Sequence, residues 1–126
     1  MRAIDTNVLV RLITRDDEKQ VASAEAFVTK GAWVSHLVLA ETTWVLNVAY
    51  ALEHVEIAKA LEMLLNHTHL TIQDSDTVEA ALDRYRQKPS LGFSDCLILE
   101  VARKAGHIPL GSFDKALSRL SDVERL

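Results

Sequence analysis

Four carboxylates stand at positions from which they could serve one chemical step: Asp5, Glu41, Asp95 and Asp114. Each aspartate lies next to a predicted strand or helix end, where an acid also serves as a helix cap or first-turn residue. Clustered carboxylates repel one another, whereas a hard divalent cation such as Mg²⁺ or Mn²⁺ prefers oxygen ligands and turns that repulsion into attraction. If the four acids converge, the pattern predicts a divalent-metal site.

Glu41 differs from the aspartates because it lies in the middle of the apolar stretch VLAETTWVL. Leu37 precedes it by four residues and Trp44 follows it by three, so the three side chains share one helix face. We therefore expect Glu41 and Trp44 on a buried face. An unpaired ionised carboxylate there is costly, and its partner is either a cation or an arginine such as Arg11 or Arg103.

Short apolar segments alternate with amphipathic segments along the chain. The patterns predict strands at 3–5, 32–35, 69–73, 108–110 and 123–126, and helices at 8–14, 16–30, 37–51, 55–66, 74–87, 94–104 and 114–120. This alternation is typical of an α/β fold, a parallel sheet with helices on both faces. Sites in such sheets form beyond the carboxyl ends of the strands, which is where the acids would meet.

Composition limits the classes of protein to consider. The chain has 126 residues and a net charge of −4, which suits a single domain over residues 1–126 and argues against a protein that coats nucleic acid. Its one cysteine, Cys96, lies in an apolar run, so we expect a buried, reduced thiol and a cytoplasmic location. We expect neither a secretory signal nor a membrane span.

The chain resembles the PIN-domain nucleases, most closely the VapC-type toxins of prokaryotic toxin–antitoxin pairs, in four segments: AIDTNVLVRLI at 3–13, VSHLVLAETTWVL at 34–46, GFSDCLILEVARKAG at 92–106 and PLGSFDKAL at 109–117. In the family pattern an Asp ends the first strand, a Glu lies on a buried helix and an Asp opens a later helix. A Thr/Ser-x-Asp follows the fourth strand. The resemblance implies a three-layer fold with about five strands in the order 3-2-1-4-5.

The resemblance also implies roles for individual residues. The metal-ligating and catalytic acids would be Asp5, Glu41, Asp95 and Asp114, the last holding a second ion or positioning water. Supporting hydrogen bonds would come from Thr6, Asn7 and Ser112. Serine stands at 112 where threonine is more usual, and this keeps the hydroxyl.

The function implied by the resemblance is metal-dependent hydrolysis of RNA phosphodiester bonds with one or two Mg²⁺ or Mn²⁺ ions. The family also implies a homodimer and inhibition by a small VapB-like antitoxin. Positive charge to hold RNA would come from Arg84, Arg86, Lys88, Arg11 and Arg15. Each of these is equally explained as a solvated helix face.

Two alternatives remain open from the sequence. A non-catalytic PIN-like binding module would have lost one or more acids, whereas all four are present. A phosphoacceptor receiver-type domain would need an acid pair after the first strand and a lysine after the fifth. The first strand gives only Asp5, and the predicted fifth strand ends at Leu126.

Overall fold

Helices and short strands alternate along the computed structural model, which describes residues 1–126. The strands are β1 Arg2–Ala3, β2 Ala32–Val34, β3 Leu70–Ile72, β4 Leu110–Ser112 and β5 Val123–Arg125. The helices are α1 Thr6–Thr14, α2 Glu18–Val28, α3 His36–Val48, α4 His54–Leu65, α5 Ser75–Gln87 and α6 Phe93–Ala105, with a 3-10 helix at Leu117–Arg119. No helix combines the length and the apolar character needed to cross a bilayer.

The chain divides into two compact units, Met1–Ser75 and Asp76–Leu126. In the first unit, β1, β2 and β3 form a parallel sheet in that order. Ala32 and Val34 of β2 pair with Leu70 and Ile72 of β3, and all four side chains are buried. The part of the predicted strand order that reads 3-2-1 is therefore confirmed.

In the second unit, β4 and β5 form a parallel two-stranded sheet. The predicted neighbours 4-5 are confirmed, and the α/β character with parallel pairing holds throughout. The five strands nevertheless form two sheets rather than one hydrogen-bonded sheet. Each strand has only two or three residues, so each offers few backbone groups for a continuous ladder.

Side-chain oxygens cap several helices and thereby fix where they start. Asp5 Oδ1 accepts a hydrogen bond from Val8 N at 3.2 Å, and Asp17 Oδ1 accepts one from Gln20 N at 3.0 Å. Such caps satisfy backbone donors that have no partner within the helix. Asp5 and Asp17 are thus structural residues at helix starts, whatever further role they take.

The buried faces of α4 and α5 follow the apolar spacing of the sequence. On α4 the buried residues are Ile57, Ala58, Leu61 and Leu64, and on α5 they include Val78, Ala81, Leu82 and Tyr85. Cys96 on α6 is fully buried, as expected. These helices have a clear apolar stripe and a polar opposite face, so the period of the sequence identifies the buried side.

The predicted inward face of α3 is wrong. The helix buries Leu39, Thr42, Thr43 and Leu46, and it leaves Leu37 and Trp44 exposed by 83% and 63%. Glu41 lies on the exposed side with them. Because α3 is apolar around most of its circumference, either of two faces could pack against the core. The spacing around Glu41 predicts burial of the face that the structure leaves exposed.

Smaller differences concern the C-terminal region. The predicted helix 114–120 is only the 3-10 turn Leu117–Arg119, and the predicted strand 108–110 is displaced to Leu110–Ser112. Trp33 in β2 is 36% exposed, whereas its neighbours Ala32 and Val34 are buried. These segments are short, so each contains too few residues for a period to define its limits.

Candidate functional site

In the first unit, the residues around the start of α1 hold Glu41 by a hydrogen bond. Thr6 Oγ1 donates a short hydrogen bond to Glu41 Oε1. Thr6 is itself buried and directly follows Asp5, the cap of α1. Glu41 therefore needs neither of the arginines considered as its partner, because a hydroxyl from the neighbouring helix fixes its carboxylate.

Arg11 belongs to a separate polar network of the first unit. Its guanidinium pairs with Asp16 at 3.1 Å and donates to Tyr50 Oη at 2.9 Å and Gln20 Oε1 at 2.5 Å. The Tyr50 hydrogen bond raises the pKa of Arg11, and the hydrogen bonds from Thr14 and Tyr50 lower the pKa of Asp16. Arg11 is thus held in place, and the carboxylate of Asp16 offsets much of its positive charge in the absence of a ligand.

In the second unit, Asp95 and Asp114 are the acids that interact. Asp95 lies in the first turn of α6 and is half-buried. Burial, and then the charge of Asp114, raise the pKa of Asp95. Neither carboxylate forms an ion pair with a lysine or an arginine. The pair therefore carries negative charge that the protein itself leaves uncompensated.

Ser112 and Asp114 form the turn that follows β4. Ser112 Oγ accepts a hydrogen bond from Asp114 N at 3.0 Å, and Asp114 Oδ1 accepts one from Leu117 N at 2.7 Å. One carboxylate oxygen of Asp114 is thus used as a cap, and the serine hydroxyl fixes the backbone that carries it. The supporting role in a metal site that the resemblance implies for Ser112 stays a prediction.

Glu100, further along α6, is buried and its charge is matched. Arg84 donates to Glu100 Oε1 through Nε at 2.9 Å and pairs through a terminal nitrogen at 2.8 Å. Arg103 pairs with Glu100 Oε2 at 3.3 Å and also with Asp122. This network ties α5, α6 and the segment before β5 together. The network gives Arg84 a structural role, and the contact of Arg84 with substrate stays a prediction.

The other predicted substrate-binding cations lie on the surface. Arg86 is exposed on α5, and Lys88 is exposed directly after that helix. Arg15 pairs with Glu25 at 2.5 Å on the surface of the first unit. A contact of these three cations with nucleic acid stays a prediction.

Asp5 and Glu41 lie in the first unit, and Asp95 and Asp114 lie in the second. Within either unit, no group of three or more histidine, cysteine, aspartate or glutamate side chains is arranged to hold a metal ion. The donor chemistry nevertheless fits a hard divalent cation. Asp95 and Asp114 supply uncompensated carboxylate oxygens, and Asp5 Oδ2 is not used by the cap that Asp5 Oδ1 forms.

The structure also shows polar residues that the sequence did not single out. A cavity of about 500 Å³ lies between α1 and α2 in the first unit, and we call it the α1–α2 cavity. Its lining comprises Asp5, Asn7, Val8, Arg11, Lys19, Gln20, Ser23, Ala24 and Phe27. The spacing of Lys19, Ser23 and Phe27, four residues apart along α2, is the signal that would have placed them on one face.

Comparisons with known proteins show which family the chain resembles in sequence and which solved structure it aligns with. No curated protein sequence matches the chain. The solved structure of VapC20 from Mycobacterium tuberculosis, described as a sarcin-ricin loop cleaving toxin, is 20% identical and aligns over 98% of each chain with a TM-score of 0.44. The PIN domain family matches residues 3–123, which include all four candidate acids. This match covers nearly the whole chain and sets aside the receiver-type alternative, so the chain belongs to the PIN domain family.

Proposed function

We propose that the chain is a metal-dependent endoribonuclease of the VapC type, which hydrolyses RNA phosphodiester bonds. The observation that carries the proposal is the Asp95–Asp114 pair. Burial, and then the charge of Asp114, raise the pKa of Asp95, and neither carboxylate forms an ion pair with a basic side chain. A protein tolerates such a pair when an external cation compensates it, and membership of the PIN family gives that cation a use.

Four acids would share the work of holding Mg²⁺ or Mn²⁺. Asp5, Glu41 and Asp95 are the proposed ligands, and Asp114 would hold a second ion or orient the attacking water. When bound, the cation supplies a water of lowered pKa and positive charge at the phosphate. The chain's own contribution is placement, because Thr6 fixes the Glu41 carboxylate and Ser112 fixes the turn that carries Asp114.

The proposed partners follow from the family and from charge. RNA is the substrate, a small VapB-like antitoxin is the inhibitor, and the assembly is a homodimer in the cytoplasm. With a net charge of −4, the chain should bind arbitrary RNA weakly and only with divalent metal. An antitoxin segment carrying a basic side chain would match the uncompensated acids electrostatically.

RNA cleavage by an Asp5→Asn variant tests the proposal. We expect the wild-type chain to cleave single-stranded RNA with Mg²⁺ or Mn²⁺ and to lose that activity in chelator. We expect Asp5→Asn to remain folded and inactive. Asp17→Asn is the matched control, because Asp17 caps α2 as Asp5 caps α1 and has no proposed ligand role. Metal-dependent cleavage retained by Asp5→Asn would refute the assignment.

A further inference from the structure

The α1–α2 cavity joins a proposed metal ligand to side chains suited to a nucleotide. Asp5 lines one part of it, and Lys19, Gln20 and Ser23 line another. Its volume of about 500 Å³ falls in the range of small-molecule sites. A ligand in this cavity would therefore lie beside the carboxylate at which chemistry is proposed.

Charge in the cavity favours a phosphate. Two cations and one carboxylate line it, although the whole chain is acidic. Arg11 is held by Asp16 and Tyr50, whereas Lys19 is exposed and forms neither an ion pair nor a hydrogen bond. Lys19 is thus the cation that is available to an anionic ligand. A basic peptide segment would meet repulsion at the same place.

The ring of Phe27 gives the cavity an aromatic surface. The side chain is half-buried, lines the cavity and carries the Arg2 guanidinium over its ring at 3.7 Å from the centroid. Arg2 also donates to Phe27 O at 3.2 Å, which fixes the stack. Aromatic rings and stacked arginines are the surfaces on which proteins hold unpaired bases. Asn7, Gln20 and Ser23 add polar groups around it.

We propose that the α1–α2 cavity is a subsite for one nucleotide of single-stranded RNA, in which Lys19 contacts a backbone phosphate and Phe27 packs against the base. The subsite lies beside Asp5, so it holds a nucleotide near the bond to be cleaved. This inference deepens the proposed function and rests on it for the identity of the ligand.

Fluorescence anisotropy with a labelled single-stranded oligoribonucleotide in Mg²⁺ tests the subsite without requiring cleavage. The parent protein carries Asp114→Asn, so that bound RNA stays intact. Lys19→Ala should weaken binding about five- to ten-fold and reduce the slope of log affinity against log salt by about 0.7, the value for one phosphate contact on a single strand. Ser23→Glu should weaken binding further, because the added carboxylate repels the phosphate and competes for Lys19.

Lys30→Ala is the matched control, since Lys30 is an exposed lysine just beyond α2 that does not line the cavity. The proposal is overturned if Lys19→Ala and Lys30→Ala have the same affinity and salt slope. Full RNA binding by Ser23→Glu also overturns it and leaves the cavity to another class of ligand, such as a protein partner. Binding that depends on Lys19, together with no metal-dependent RNA cleavage by the wild-type chain, supports the subsite while refuting the nuclease.

Discussion

Asp95 and Glu100 lie on the same helix, α6, but differ in whether basic side chains compensate their charge. Glu100 is buried, yet Arg84 and Arg103 both pair with it. Asp95 is half-buried, has no basic partner and faces the charge of Asp114, so its pKa is raised. One unit of the chain therefore contains a compensated acid and an uncompensated one, five residues apart.

The difference between Glu100 and Asp95 distinguishes a charge that stabilises the fold from one that we propose binds a ligand. A buried carboxylate that serves stability is surrounded by the cations it needs, as Glu100 is. A carboxylate left next to another carboxylate weakens the folded state unless something outside the chain compensates it, which is the situation of Asp95. The same reasoning does not apply to Glu41, because that side chain is exposed.

The largest expected effect concerns activity. Asp95→Asn keeps the shape of the side chain but removes a proposed metal ligand, so RNA cleavage should fall about 10³-fold or more. Asp83→Asn is the control, because Asp83 is an exposed acid on α5 outside the site. Initial cleavage rates in Mn²⁺ provide the comparison. Near-normal cleavage by Asp95→Asn would show that its uncompensated charge has no catalytic purpose.

The second prediction concerns stability at the compensated acid. Glu100→Gln leaves two arginines without their shared carboxylate and should destabilise the fold by about 2–3 kcal/mol. This is less than a fully buried pair would lose, because both arginines are partly exposed to solvent. Urea unfolding at neutral pH measures it. A loss within experimental error would mean that the network contributes only surface electrostatics.

A third, smaller effect is a gain in stability when the charge of Asp95, the uncompensated acid, is removed. A carboxyl group with a raised pKa favours folding fully below its unfolded pKa, ordinarily 3.8, and this contribution is lost as pH rises through the folded-state value. In chelator at neutral pH, Asp95→Asn should therefore raise Tm, by at most about 4 °C because solvent screens the group. The gain should vanish near pH 3. A lower Tm at neutral pH would contradict the account.

The smallest effect is expected at Cys96, which lies between the two acids on α6. Burial raises the pKa of the Cys96 thiol to about 11, the charge of Arg84 opposes this, and Asp95 and Glu100 add to it. At pH 8 only about one thiol in a thousand is ionised, so reaction with a disulfide reagent should be slow until the protein unfolds. Asp95→Asn should speed the native reaction slightly. Rapid native modification would show that the thiol is accessible.

The sequence predicted the helices with one apolar face better than it predicted α3. The buried residues of α4 and α5 follow directly from their spacing, and so does the burial of Cys96. For α3, Leu37 and Trp44 are as apolar as Leu39 and Leu46, so composition cannot decide which pair faces inward. That choice depends on packing against neighbouring elements, which no local pattern contains.

For the candidate site, the sequence indicated which residues take part better than it indicated their burial and their contacts. The acids at positions 5, 95 and 114 lie at element boundaries as the sequence indicated, and Asp95 and Asp114 interact. The acid whose charged form burial disfavours is Asp95, whereas Glu41, for which the sequence predicted burial, is exposed. Lys19 and Phe27 were missed, because a cavity between two helices is defined by tertiary contacts rather than by either helix alone.

Binding of Mn²⁺ measured by electron paramagnetic resonance tests the central claim most directly, because it requires neither RNA nor turnover. We expect the wild-type chain to bind Mn²⁺ and Asp95→Asn to bind it at least about ten-fold more weakly. Asp83→Asn should bind Mn²⁺ with the wild-type affinity. Equal Mn²⁺ affinity in the wild-type chain and Asp95→Asn would contradict the claim that this uncompensated acid is there to hold a cation.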